Sequence, residues 1–476
     1  MLRARVVLAA SAVALAAAAA VIPAAAGAVP GTPSLPAAPV AAAVNPDTFV
    51  AVNPDVIRVP RAASAAPPST ADCEAADNIA CYVPDQIRAA YDLPALYARG
   101  GTGKGVTIMI VDPFGSPTIK ADLATFDQQF GYNAPPKFTI IAPAGKIPPF
   151  NPKNSGMVGW AGETSLDVEY AHALAPAASI LLVETPVSET EGDAGFPQIV
   201  AAEQYALAHY KVGVISQSFA ATEQTLGSYT QLAPLRAAYT EAQSHGVTVL
   251  AGSGDSGATN YQDNGVSFYS RRVTAWPATD PLVTAVGGTQ LEQTGAGYSS
   301  VSWNDSYNPA VLRGWTGATA PAPYASGGGS SAFFARPSWQ NGVAARVGTH
   351  RAVPDISMSA ACDGAVDVYS SYTVKGWTQV CGTSEATPEF AAVVAIADQI
   401  AGRSLGLVNP TLYRLAAGHA AGIVDVTAGN NTVAFTAGGK QVTVKGYSAT
   451  SGYDAVTGVG TLDAFQLAYE LSGRHP

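Results

Sequence analysis

The sequence predicts an α/β protein in which a parallel sheet is flanked by helices on both faces. Short, fully apolar runs recur at 106–111, 179–183, 212–215, 247–250 and 282–286. Helix-length segments lie between several of them, at 165–175, 199–209 and 232–245. Glycine-bearing turns at 252–257, 327–329 and 381–384 follow or separate such runs. Strands that are apolar on both sides and alternate with helices belong to a sheet covered on both faces. In such folds the chemistry collects at the carboxyl ends of the strands.

Taken from the N-terminus, the chain opens with Arg3 and Arg5 ahead of an alanine-dominated apolar run to residue 26, broken by Pro23. Small residues at Ala24, Ala25, Ala26 and Ala28 offer cleavage sites, so 1–26 reads as a secretory signal peptide. An uncleaved anchor is the other reading of about twenty apolar residues. Alanine partitions weakly into a bilayer and Pro23 sits near the end, which favours cleavage. No other segment is long and apolar enough to span, so an extracellular protein without a membrane partner is expected. Residues 27–81, rich in Ala, Pro and Val, read as a linker or short pro-segment without its own core. The region 82–476 reads as the functional domain. At 476 residues and 48% hydrophobic, the chain can bury a large core.

Charge excludes one class of partner. The net charge is −10 and only 13% of residues are charged, so no basic stripe is present to bind nucleic acid. Four cysteines fit export, where disulfides persist. Pairing of neighbours, Cys73 with Cys81 and Cys362 with Cys381, is one of three connectivities that four cysteines allow.

Cys381-Gly382-Thr383-Ser384-Glu385-Ala386-Thr387-Pro388 leads into an apolar helical stretch at 390–400. Ser384 would sit at the mouth of that helix, where unpaired N–H groups and the positive dipole end stabilise developing negative charge. Pro388 is tolerated so close to the start. An ordinary N-cap serine would look the same from this segment alone. Gly254-Asp255-Ser256-Gly257 offers a rival serine, Ser256, in a trypsin-like segment or in a secreted esterase. None of the six histidines (His172, His209, His245, His350, His419, His475) is followed by cysteine, and no His-Gly-Thr-His segment exists. A serine nucleophile needs a base, and here histidine does not supply it.

Gly162-Glu163-Thr164-Ser165-Leu166-Asp167 supplies a candidate. Glu163 and Asp167 are four apart and share one helix face. No Lys or Arg occurs between Lys153 and Lys211, while eight acidic residues do. Carboxyls packed this way share protons and titrate as a set; the plainer alternative is a solvated acidic face.

A Gly-Thr-Ser helix without histidine, together with a paired carboxylate, resembles the sedolisin family of serine-carboxyl peptidases. The resemblance spans about 82–471 and includes 84–94 and 103–112. It runs through Glu163 and Asp167, Ser253-Gly254-Asp255-Ser256-Gly257 and Ser326-Gly327-Gly328-Gly329-Ser330. Arg336-Pro337-Ser338-Trp339-Gln340, Val353-Pro354-Asp355-Ile356-Ser357, Gly382-Thr383-Ser384 and Gly452-Tyr453-Asp454 complete it in order. Each piece is weak alone; their joint order is specific.

The resemblance implies a subtilisin-like fold and an acid-active, monomeric peptidase taking polypeptide substrates, either an endopeptidase or a tripeptidyl peptidase. It implies Ser384 as nucleophile, Glu163 as general base and then acid, and Asp167 as its orienting partner. Asp255, protonated, would donate to the oxyanion beside the Ser384 N–H. It also implies structural Ca²⁺ held by Asp425 and Asp454 with the carbonyls of Val426, Thr450 and Gly452, an all-oxygen set that suits calcium. Thr450 stands where the family usually has glycine, and Cys381 and Ala220 also replace frequent glycines. The family's large N-terminal pro-domain has no counterpart in the short stretch 27–81. A catalytically silent, binding-only relative is the alternative function; the presence of all four residues argues against it.

Overall fold

The computed structural model describes residues 57–58 and 64–475, apart from 296, 317–319 and 374. The expected signal at 1–26 and residues 27–56 lie outside the described residues. In chain order the framework is β1 (Thr107–Val111), β2 (Phe138–Ile141), α1 (Ser155–Leu174), β3 (Ser179–Val183) and α2 (Phe196–His209). It continues with β4 (Val214–Gln217), α3 (Ala237–Ser244), β5 (Thr248–Gly252), β6 (Thr284–Thr294) and β7 (Gly297–Ser302). Last come β8 (Ile356–Ser359), β9 (Ala365–Ser370), β10 (Gly376–Cys381) and α4 (Thr383–Ala401).

The main sheet has the order β7-β6-β5-β4-β1-β3-β2, with β8 also paired to β6. Every pairing in it is parallel except the β6–β7 hairpin. Successive strand residues point to opposite faces, and the apolar runs therefore feed two cores. Ile108, Ile110, Ile180, Leu182, Val214 and Leu250 pack in the same core as α1 and α4. Met109, Val111, Leu181, Val183, Ile215 and Val249 pack with α2 and α3 in the other. The expected helix-covered parallel sheet is therefore present.

Three segments differ from the sequence expectation. The helix expected at 165–175 begins ten residues earlier, at Ser155, where the Asn154 side chain caps it by accepting from the Met157 N–H at 3.0 Å. Gly156, Gly159 and Gly162 hide it, each costing roughly 1 kcal/mol in helix propensity; continuous burial from Trp160 to Leu174 outweighs that cost. The segment 232–245 is split, because Pro234 opens a 3₁₀ turn at Ala233–Arg236 ahead of α3. The third difference corrects the linker reading of 27–81 for the part the structure describes. Thr70–Asp77 is a helix, Cys81–Tyr82 pairs with β9, and Ile57–Arg58 pairs with β10 at Cys381 and Val380. Cys73 and Ile79 are buried and the Cys73–Cys81 disulfide closes the turn, so apolar burial and a cross-link hold the segment down.

Candidate active site

Ser384 is the second residue of α4 and is only 5% exposed. Gly382 precedes the helix with φ +126°, a conformation that excludes side-chain-bearing residues. Its N–H donates to the Ala360 carbonyl at 2.8 Å. The Cys362–Cys381 disulfide ties the same strand end to the 360–363 loop, which Asp305 holds through the Cys362 N–H at 2.8 Å. The chain is thus fixed immediately upstream of the serine. Downstream, Pro388 has no N–H for the Ser384 carbonyl, and the Ser218 hydroxyl lies 3.5 Å from that oxygen instead.

Glu163 and Asp167 lie one turn apart on α1, which packs directly on α4. Both are fully buried, so the solvated acidic face is ruled out. Ser218, just past β4, donates to Asp167 Oδ1 at 3.0 Å. Neither Glu163 oxygen, nor Asp167 Oδ2, has a hydrogen bond of ordinary geometry. Burial pushes the Glu163 pKa well up and nearby Asp112 adds to it, whereas the Ser384 hydroxyl is near enough to favour the ionised form. Burial, then Asp112, then Glu163 raise Asp167 in the same way. The carboxyls therefore hold protons jointly.

Asp255 follows β5 in a turn that starts at Gly254, with φ +105°. Its Oδ1 accepts from the Thr383 N–H at 2.7 Å and the Thr383 hydroxyl at 2.8 Å, which sets it against the residue before Ser384. The first glycine of the run at 327–329 is explained by close approach here. Gly327 donates to the Gly254 carbonyl at 2.6 Å, and a Cβ on it would lie 2.2 Å from the Ser253 oxygen. Ser384, Glu163, Asp167 and Asp255 are thus brought together from α4, α1 and the turn after β5. Ser256 has no histidine or carboxylate bonded to it among the described residues. His172, on α1, is occupied by the Asn133 carbonyl at 2.9 Å and by Asp127 at 3.3 Å. A serine, a buried carboxyl pair and a third carboxyl at a helix N-terminus can support acyl transfer without imidazole.

No protein-family model matches the chain. It is 31% identical over 400 residues to kumamolisin of Bacillus sp. (strain MN-32), covering 82% of this chain and 63% of that protein. It is 33% identical over 232 residues to sedolisin of Pseudomonas sp. (strain 101), covering 48% of this chain and 36% of that protein. Human tripeptidyl-peptidase 1 is 28% identical over 361 residues, 72% of this chain and 56% of that protein. The chain thus spans less than two thirds of each relative. The solved structure of Pseudomonas sedolisin, a serine-carboxyl proteinase complexed with pseudo-iodotyrostatin, superposes with a TM-score of 0.69 at 25% identity. That match covers 83% of this chain and 99% of the other. The chain is thus similar along most of its length to sedolisin-type serine-carboxyl peptidases.

Two residues around this centre were not singled out from sequence. Asp112 follows β1 directly and is fully buried. Burial pushes it up to about 8, against the opposing pull of nearby Thr164 and Asp167. Ser218 stands one residue past β4. Both occupy the first positions beyond strands of the sheet, the place where this fold collects chemistry, and for Asp112, directly after the apolar run 106–111, that signal could have found it. At the ends of β1 and β3 an open cleft is lined by Phe114, Ile147, Phe150, Met157 and Glu184.

The expected calcium residues converge on one pair of loops. Asp425 Oδ2 accepts from the Gly452 N–H at 2.9 Å, and Asp454 Oδ2 accepts from the Thr450 N–H at 2.8 Å. Asp454 Oδ1 takes the Val456 and Thr457 N–H groups at 3.0 and 2.9 Å. The donor chemistry is oxygen throughout, which fits a hard cation. Arg346 lies at the rim, bonded to the Thr450 hydroxyl at 2.6 Å and the Ser451 carbonyl at 3.2 Å.

Proposed function

We propose that the chain is a secreted, acid-active serine-carboxyl peptidase that hydrolyses polypeptides. The observation that carries this reading is the seating of Ser384, at a helix N-terminus, against the buried Glu163–Asp167 pair with no histidine in bonding range. Ser384 Oγ attacks the peptide carbonyl carbon while Glu163 takes its proton. The oxygen of the tetrahedral intermediate is met by the Ser384 N–H and a protonated Asp255. Glu163 then returns the proton to the leaving amine, and water repeats the sequence on the acyl-enzyme. Asp167, held by Ser218 and lying beside Asp112, keeps the proton of the pair where Glu163 can ionise. Carboxyls serve as base in acid, where histidine would already be protonated.

Cleavage of a denatured protein at pH 4, compared between wild type and Ser384→Ala, tests this reading. Products should appear only with the serine, and their mapping by mass spectrometry separates endopeptidase from tripeptidyl cleavage. N-terminal sequencing of protein recovered from the medium tests export through removal of 1–26.

Asp425 and Asp454, with the carbonyls of Val426, Thr450 and Gly452, would hold a calcium ion. When bound, the ion cross-links two loops and stabilises the folded state by mass action. A chelator should then lower the melting temperature of the Ser384→Ala protein; an unchanged value and no calcium by elemental analysis would remove the site.

A further inference from the structure

The nucleophile helix carries a second carboxyl pair that the reaction does not use. Glu385 and Glu389 lie one turn apart on α4, and both are fully buried. None of their four carboxyl oxygens has a hydrogen bond of ordinary geometry. The groups facing them bring no positive charge. Asp255 faces Glu385 from the turn after β5, and Ser359 at the end of β8 gives the one polar contact that favours its ionised form. Tyr91, fully buried, has its hydroxyl occupied by the Ser359 N–H at 2.7 Å and senses both glutamates. Tyr170 comes from α1, with Asp367 and Glu169 around it. No Lys, Arg or His on α1, β1, β4, β5, β6, β8, β10 or the helix Ala464–Ser472 acts on either carboxyl.

Two carboxylates in such a place would be desolvated, and like charges one turn apart also repel. Burial accordingly raises both pKa values well above the ordinary range, and Glu385 raises Glu389 further. Pro388 lies between them and removes a rung of the helical ladder, so the first turns of α4 depend on side-chain burial for their seat.

We propose that Glu385 and Glu389 form an acid latch for the nucleophile. Neutral, they seat the first two turns of α4 and keep Ser384 in register with Glu163; ionised, they release those turns and silence the enzyme outside acid. The inference deepens the peptidase reading and rests on it for the activity arm alone. The sign follows from linkage. A carboxyl whose folded pKa lies above its unfolded value contributes its full stability below the unfolded pKa, about 4.3. That contribution is lost as pH rises toward the folded pKa, at about tenfold in the folding constant per pH unit per group.

The test is Glu385→Gln/Glu389→Gln, which keeps shape and removes ionisation. In a Ser384→Ala background, the melting temperature of the parent should fall steeply from pH 4 to 7.5, and that of the double variant should fall less. With Ser384 restored, the double variant should keep activity at pH 4 after incubation at pH 7.5 that inactivates wild type. Parallel melting curves and equal inactivation would overturn the latch. If the variant does not fold, hydrogen exchange of wild type decides. After correction for intrinsic rates, 383–392 should lose protection at lower pH than β1 and β3, and simultaneous loss would overturn it. If wild type cleaves nothing at pH 4, the peptidase reading fails, while melting and exchange still decide the latch.

Discussion

Asp355 and Glu163 are equally buried, yet their surroundings are opposites. Asp355 receives Arg351 through both terminal guanidinium nitrogens, at 2.8 and 2.5 Å, along with the Ala285 N–H at 2.8 Å. Tyr413 and Asn409 complete its shell at 3.0 and 3.2 Å. Burial raises the Asp355 pKa while Arg351 lowers it, and the ionised form is solvated by protein. Glu163 has no cation acting on it among the described residues; its neighbours are Asp112, Asp167 and Asp255. At Asp355 the fold satisfies the buried carboxyl; at Glu163, where proton transfer is proposed, and at Glu385 and Glu389 it leaves the oxygens unsatisfied. Perturbed groups of the second kind are the ones that mark functional sites.

The largest expected effect separates the two regions by readout. Glu163→Gln should cost about 10²–10⁴-fold in kcat/KM with no loss of melting temperature at pH 4, since it replaces a strained acid by a neutral amide. Near-wild-type turnover would break the comparison at its functional end. Asp167→Asn should follow the same pattern.

Arg351→Met should do the reverse. Stranding Asp355 without its cation costs about 3–5 kcal/mol of stability at neutral pH, measured by urea unfolding of the Ser384→Ala protein. Arg351→Met/Asp355→Leu should recover most of it. A loss below about 1 kcal/mol would place this pair with ordinary surface bridges.

The smallest effect sharpens the rule for carboxyls outside both regions. Burial pushes Asp398 up to about 8, although the Leu405 N–H at 2.8 Å opposes it. Its unfolded pKa is about 3.9, so its contribution is full below that value and declines as pH climbs to about 8. Asp398→Asn should flatten the pH–stability curve within that window. Glu203, also raised to about 8 by burial, should behave likewise on Glu203→Gln. A wild-type protein more stable at pH 7.5 than at pH 4 would contradict the raised values of Glu163, Asp398 and Glu203 together.

How much was legible in advance follows from period and from locality. A run such as Ser179–Val183 predicts its own strand because both faces are apolar, and no tertiary knowledge is needed. Glu163 and Asp167 are readable because a helix turns once in about four residues, so spacing alone places them on one face. Ser384 is readable as a helix mouth from Gly382 and the apolar stretch behind it. The glycine-rich start of α1 was not legible, because burial between α4 and the sheet overrides propensity only once both are in place.

What the sequence by itself determined, then, is the two-faced sheet, the i,i+4 acid pair, the Gly-Thr-Ser helix and the absence of a histidine partner. These are properties of adjacent residues. The tertiary structure decided that Asp112 and Ser218 join the acid pair, that Asp255 meets Thr383, and that Glu385 and Glu389 turn into the core. Asp255 and Thr383 lie 128 positions apart in the chain. Whether a carboxyl is a solvated surface charge or a buried proton holder depends on what other strands and helices exclude from it, and a linear pattern does not contain that exclusion.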